Sequence, residues 1–207
     1  MWLSTEKSGL IRYRQRDDSL LTFTIEKGLS SNSLSKLSII DNQLIIGTFG
    51  KGLIKLNLTD LTFSQFPKFG EIHEGFTIND IYNYNDSLLY VATNNGLKLI
   101  ENNSLKSIAL NLEDSIISAV FCQDPNNLWV GTKGNGLYAI QYSNGKEIIT
   151  NYRNNPLELS SLCGDMVYDI IQDFSGNIWV TNQEGVSFFD PLKQNFTLVT
   201  NNLSGED

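Results

Sequence analysis

Ile170-Ile171-Gln172-Asp173-Phe174-Ser175-Gly176-Asn177-Ile178-Trp179-Val180-Thr181, continued by Gly185-Val186-Ser187-Phe188-Phe189-Asp190-Pro191, decides the fold of this chain. Val167 to Ile171 is rich in β-formers and reads as a first strand. Asp173 to Asn177 is turn chemistry, because Asp and Asn satisfy nearby backbone groups and glycine accepts positive φ. Ile178 to Thr181 is a second strand, and Gln183-Glu184-Gly185 turns the chain into a third, Val186 to Phe189. Asp190-Pro191 ends that strand, since proline has no donor for a sheet ladder. Phe196 to Val199 completes the set as a fourth strand. Four antiparallel strands in sequence make one propeller blade.

The second strand recurs along the whole chain. Trp2-Leu3-Ser4-Thr5, Ile45-Ile46-Gly47-Thr48, Tyr90-Val91-Ala92-Thr93, Trp129-Val130-Gly131-Thr132 and Trp179-Val180-Thr181-Asn182 are each followed by a glycine and an apolar residue. Those glycines are Gly9, Gly52, Gly96, Gly136 and Gly185. A strand-and-turn period of about 40–50 residues is the signature of a β-propeller. The predicted blades are 1-30, 31-70, 71-112, 113-155 and 156-200, with 201-207 as a tail, all in one array. Side chains alternate between the two faces of a strand, so Trp129 and Gly131 share a face and Val130 takes the other. The small residue is expected to make room for the bulk of the neighbouring blade.

Only four first strands precede the five second strands: Leu37 to Ile40, Ile78 to Tyr82, Ile117 to Phe121 and Val167 to Ile171. Nothing stands before Trp2, and the tail from Thr200 to Asp207 is polar. The chain therefore reads as all-β, a partial propeller of about four and three-quarter blades within a longer array. A compact five-bladed ring with one defective blade is the alternative. Further blades, or a second copy of the chain, are expected partners.

Composition narrows the function. The 207 residues carry a formal net charge of −8, with basic residues scattered, so a nucleic-acid partner is not expected. No apolar run approaches a bilayer span and the N-terminus does not read as a signal peptide, so this segment is expected to make no direct membrane contact. Cys122 lies in an apolar strand as a buried thiol, and Cys163 lies in a loop. Spacing alone does not support a disulfide between them.

Catalysis needs a nucleophile, an acid–base pair or a metal cluster in one place. The one histidine, His73, is flanked by Glu71 and Glu74 in a loop, with no second His or Cys to complete a metal site. No metal, cofactor or catalytic residue is predicted. Asp41, Asp86, Asp124 and Asp173 recur at the same turn, which points to backbone hydrogen bonding. Asp124-Pro125-Asn126-Asn127 lacks the alternating oxygen ligands of a calcium loop.

The stretch from Ile170 to Pro191 resembles the two-component regulator propeller repeat. So do Asn127-Leu128-Trp129-Val130-Gly131-Thr132-Lys133-Gly134-Asn135-Gly136-Leu137 and the segment Gly28-Leu29-Ser30-Ser31-Asn32-Ser33. The resemblance spans nearly the whole chain and is weaker around Ile45 and Tyr90, which stand in place of tryptophan. It implies the sensor half of a hybrid histidine kinase, periplasmic in location and similar to receptors for glycan breakdown products, with the kinase outside this chain. A protein-interaction scaffold is the alternative, and an enzyme similar to streptogramin lyases, relying on His73, is a further one.

On the sensor reading, a small soluble ligand, an oligosaccharide, is expected at the face where inter-blade loops and the turns after the second strands gather. The candidate ligand-binding residues are Phe49, Lys51, Lys133 and Asn135 in those turns, and Arg153 and Asn154 in the long inter-blade loop. Amide and cationic donors pair with hydroxyls or a uronate, and an aromatic face stacks on a sugar ring. Exposed aromatic and amide groups favour sugar, whereas an extended apolar patch favours a protein.

Overall fold

A computed structural model describes residues 1–66, 74–85, 87–102, 104–108, 116–158, 160–190 and 195–199. His73, Glu71, Asp86 and the tail from Thr200 to Asp207 lie outside the described residues. The chain divides into two compact units, Met1–Ile117 and Ser118–Asp207.

Unit 1 contains a three-stranded sheet of β1 (Trp2–Ser4), β2 (Leu10–Arg14) and β3 (Ser19–Phe23), followed by a short 3-10 turn, Ile25–Lys27. Two four-stranded sheets follow. One holds β4 (Leu34–Ile40), β5 (Gln43–Thr48), β6 (Leu53–Asn57) and β7 (Phe63–Phe66). The other holds β8 (Ile78–Asn85), β9 (Leu88–Thr93), β10 (Gly96–Glu101) and β11 (Ser104–Ser107). Unit 2 is built on β12 (Ile117–Asp124), β13 (Asn127–Thr132), β14 (Leu137–Ser143) and β15 (Lys146–Tyr152). Its second sheet holds β16 (Val167–Gln172), β17 (Ile178–Asn182), β18 (Gly185–Asp190) and β19 (Asn195–Leu198). In every sheet the strands lie side by side in chain order, the up-and-down arrangement of a propeller blade.

The second strands carry the packing. In β5, β9 and β13 the last five residues are buried without alternation, so both faces are covered. A Cβ added to Gly47 would meet Ile78 Cγ2 at 2.7 Å, and one added to Gly131 would meet Val167 Cγ1 at 2.5 Å. Ile78 and Val167 each open the first strand of the following sheet. The small residue of the repeat therefore receives the adjoining sheet, as the alternation of side chains predicts.

A hydroxyl closes the turn after four of the second strands. Thr5, Thr48, Thr93 and Thr132 donate through Oγ1 to the carbonyls of Gly9, Gly52, Gly96 and Gly136, at 2.8, 2.7, 2.6 and 2.8 Å. Each hydroxyl also accepts a turn N–H, from Ser8, Lys51, Asn95 and Asn135 respectively. In the last sheet Asn182 takes this place, and its Oδ1 accepts from Glu184 N. Three of the motif glycines then send their own N–H to the next sheet. Gly9 donates to Asn32 O at 2.9 Å, Gly52 to Phe76 O at 3.0 Å and Gly136 to Asp165 O at 2.9 Å. Each acceptor lies two residues before β4, β8 or β16, so one residue type links adjoining sheets and sets the start of the next strand.

The recurring turn carboxylates act on the backbone at two of the described positions. Asp124 Oδ1 accepts from Asn126 N at 2.7 Å, and Asp173 Oδ1 accepts from Ser175 N and Asn177 N at 2.8 and 3.0 Å. Asp41 contributes through its backbone, at φ 52°. Asp173 goes further, because its Oδ2 accepts from the Trp179 indole at 2.7 Å and from Asn177 Nδ2 at 3.0 Å. The indole bond, with the Asn177 and Ser175 donors behind it, holds the Asp173 carboxyl at a pKa of about 2. A carboxylate whose folded pKa is depressed stabilises the fold above its unfolded pKa and loses that contribution as pH falls through the folded value. The Trp179 indole N–H resonance is accordingly expected to titrate near pH 2 in NMR spectra and to lose that titration in Asp173→Asn. A midpoint at the ordinary carboxyl value of 3.8 would contradict the bond.

Both cysteines are free, with Cys122 buried in β12 and Cys163 half-buried in its loop. Cys163 Sγ donates to Asn182 Oδ1 at 3.1 Å.

Candidate functional site

In the sheets of Gly9, Gly52 and Gly136, the turn after the second strand and the connection to the next sheet meet at one end, because both adjoin the same glycine-to-carbonyl link. In unit 1, Phe49 is 44% exposed at this end. Its neighbour Lys51 forms an ion pair with Glu74, whose carboxyl is held below its usual range by that ammonium. Lys51 also borders a shallow hollow of about 270 Å³ with Ser30, Phe63 and Gln65.

In unit 2 four of the predicted residues come together. Asn135 donates its N–H to Thr132 Oγ1 at 2.9 Å and accepts at its carbonyl from Asn151 Nδ2 at 3.0 Å. Arg153 Nη2 donates to Gly134 O and to Asp165 Oδ2, both at 3.2 Å. Asn154 donates its N–H to Asp165 Oδ1 at 2.7 Å and its Nδ2 to Leu162 O at 2.9 Å. Lys133 is exposed and pairs through its backbone with Met166.

Asp165 organises this group, and sequence reasoning did not single it out. Its carbonyl accepts from Gly134 N and Gly136 N, while its carboxylate takes Arg153 and Asn154. The only sequence signal was position, two residues before a first strand. Beside it opens a cavity of about 460 Å³ lined by Asn154, Cys163, Asp165, Gln183 and Glu184. Gln183 Oε1 accepts from Met166 N at 2.8 Å, and Asn182 Nδ2 is buried beneath with no hydrogen-bond partner. The cavity wall offers amide and carboxylate groups, with the Arg153 guanidinium held on the Asp165 carboxylate, a donor and acceptor set suited to a polyhydroxylated ligand.

Among the described residues, no group of three or more His, Cys, Asp or Glu is placed to hold a metal ion. No helix of the described residues is long and apolar enough to cross a membrane.

No protein-family model matches the chain. A curated relative, histidine kinase P4 of Formosa agariphila, is 24% identical over 191 residues, covering 90% of this chain and 11% of that protein. Among solved structures, the extracellular domain of a hybrid two-component system of B. thetaiotaomicron superposes with a TM-score of 0.77 at 20% identity. The match covers 90% of this chain and 25% of that domain. Virginiamycin B lyase of Staphylococcus aureus superposes with a TM-score of 0.71 at 11% identity, over 96% of this chain and 65% of the lyase. The chain thus spans about a tenth of the curated relative and a quarter of that extracellular domain. The resemblance to two-component propeller repeats is met by these matches, and the sheets are propeller blades in type.

Proposed function

We propose that this chain is a ligand-sensing propeller segment of a hybrid two-component sensor, located outside the cytoplasmic membrane, with no catalytic activity of its own. The ligand is an oligosaccharide, received at the loop-bearing ends of the sheets. The observation that carries this reading is the engagement of Arg153 and Asn154 by Asp165 beside an open cavity of about 460 Å³. Similarity to a histidine kinase and to an extracellular two-component domain supports the sensor role. Similarity to the lyase extends to the fold, and His73, the residue an enzyme reading needs, lies outside the described residues.

Calorimetric titration of the protein with neutral and uronate-containing oligosaccharides tests the reading. At least one is expected to bind, and joint substitution of Phe49, Lys51, Lys133, Asn135, Arg153 and Asn154 by alanine is expected to weaken it by about 100-fold or more, equivalent to about 2.7 kcal/mol. Unchanged affinity in that variant would place the site elsewhere.

A protein-interaction role has one observation in its favour. Tyr168 and Ile171 of β16 are 55% and 58% exposed, and Trp179 and Phe188 pack together on the same side of that sheet. Further blades or a second copy of the chain would cover this face.

A further inference from the structure

The bulky residue that begins the repeated motif within each second strand faces a partner on the third. Trp2 lies opposite Arg12, Ile45 opposite Lys55, Tyr90 opposite Leu99 and Trp179 opposite Phe188. Trp129 lies opposite Ala139, the single small residue of the series. Ala139 leaves a gap where the other sheets place a long or aromatic side chain. In unit 2 that gap is a crevice of about 360 Å³ between the two sheets, within the size range of small-ligand sites.

Its walls are aromatic. The Trp129 and Tyr152 rings stack with centroids 6.1 Å apart, and Phe189 of β18 approaches Trp129 at 5.2 Å. Its rim is amide. Gln141 Nε2 donates to Asn127 Oδ1 at 3.2 Å, Asn127 Nδ2 donates to Asp124 Oδ2 at 2.8 Å, and Gln123 Oε1 accepts from the Trp129 indole at 3.5 Å. These bonds hold the amides in place before a ligand arrives, which lowers the ordering cost of binding. Among the described residues, no side chain lining the crevice carries a carboxylate, ammonium or guanidinium. The equivalent crevice in unit 1, about 320 Å³, instead contains Asp41 and Lys55.

We infer that the Trp129 crevice binds one uncharged pyranose ring. Its C–H face lies toward Trp129 and Tyr152, and its hydroxyls meet the amides of Gln123, Asn127 and Gln141. The absence of charge in the lining selects a neutral sugar, since an ionic group would lose its hydration without a partner. This inference rests on the sugar-sensing reading. It places recognition at the end of β13 remote from Lys133, so the two sites are read out separately.

The probes are methyl glycosides of glucose, galactose, mannose and xylose, with methyl glucuronoside as the charged comparison, titrated into the ¹⁵N-labelled protein. A saturable shift of the Trp129 indole N–H is expected with at least one neutral glycoside and not with the glucuronoside. Ala139→Leu installs the residue that faces Tyr90 in β9, so a folded spectrum is expected with binding weakened by about 100-fold or more. Gln141→Ala, at an exposed position, is expected to weaken binding by about 10-fold and decides the matter if Ala139→Leu does not fold. The inference is overturned if no neutral glycoside shifts the indole, or if binding survives both variants undiminished. The loop-end site is read from the Asn154 side-chain amide during oligosaccharide titration, so either site can fail while the other stands.

Discussion

Gly136→Ala is expected to lower the unfolding free energy of unit 2 by about 3 kcal/mol or more, combining a left-handed backbone penalty with overpacking. Gly136 sits at φ 76°, and a Cβ there would stand 2.2 Å from the Tyr152 carbonyl oxygen. That oxygen belongs to the backbone of β15, so it cannot swing aside as a side chain would. The same residue accepts the Thr132 hydroxyl and donates to Asp165, so displacement of its backbone would loosen both bonds. Gly145→Ala supplies the comparison. It lies at φ 71° with nothing within 4 Å of the added carbon, so only the backbone penalty of about 1 kcal/mol applies. Urea unfolding followed by far-ultraviolet circular dichroism separates the two variants. Equal midpoints would mean that the carbonyl contact costs nothing.

Trp129→Ala is expected to cost about 4 kcal/mol, as for a large aromatic removed from a packed core. Trp129 is 6% exposed and joins Leu137, Ile178, Val180 and Phe189 in the core of unit 2. Trp179 holds the equivalent place in the next sheet, but it stands half-buried on the side that carries exposed Tyr168 and Ile171. Its truncation to alanine is expected to cost about 1–2 kcal/mol, since less apolar area is returned to water. The repeat motif is the same in both sheets, and what differs is the neighbour. Measured costs that agree within error would contradict the packing described for these two positions.

That contrast marks how far the sequence could be read. The strands were legible because alternation, turn residues and glycine spacing are local signals repeated five times. The space beside Gly47 and Gly131 was legible for the same reason, as a small residue fixed two places after a bulky one. The loop-end residues were placed by element, but their partners depend on tertiary register. Arg153 and Asn154 read from the sequence as ligand donors, and the structure engages both with Asp165, a carboxylate with no distinguishing local pattern. The Trp129 crevice depends on Ala139, which looks ordinary until the third strand is set beside the second. The pairing Trp2/Arg12, Ile45/Lys55, Tyr90/Leu99, Trp129/Ala139 and Trp179/Phe188 was already present in the sequence as a near-constant offset.

The bonds from Gly9, Gly52 and Gly136 to the residue two places before the next first strand bear on how such a protein can diversify. The connections it closes, 24–33, 67–77 and 153–166, differ in length, yet in each the last residues arrive at the same anchored point. Residues inserted upstream of that anchor lengthen a surface excursion without altering the register of the strand that follows. The entropic cost of such growth is small, about 0.6 kcal/mol for each doubling of a flexible loop. Growth in loop length is thereby accommodated at one rim of the sheets, while the strands behind it keep their register.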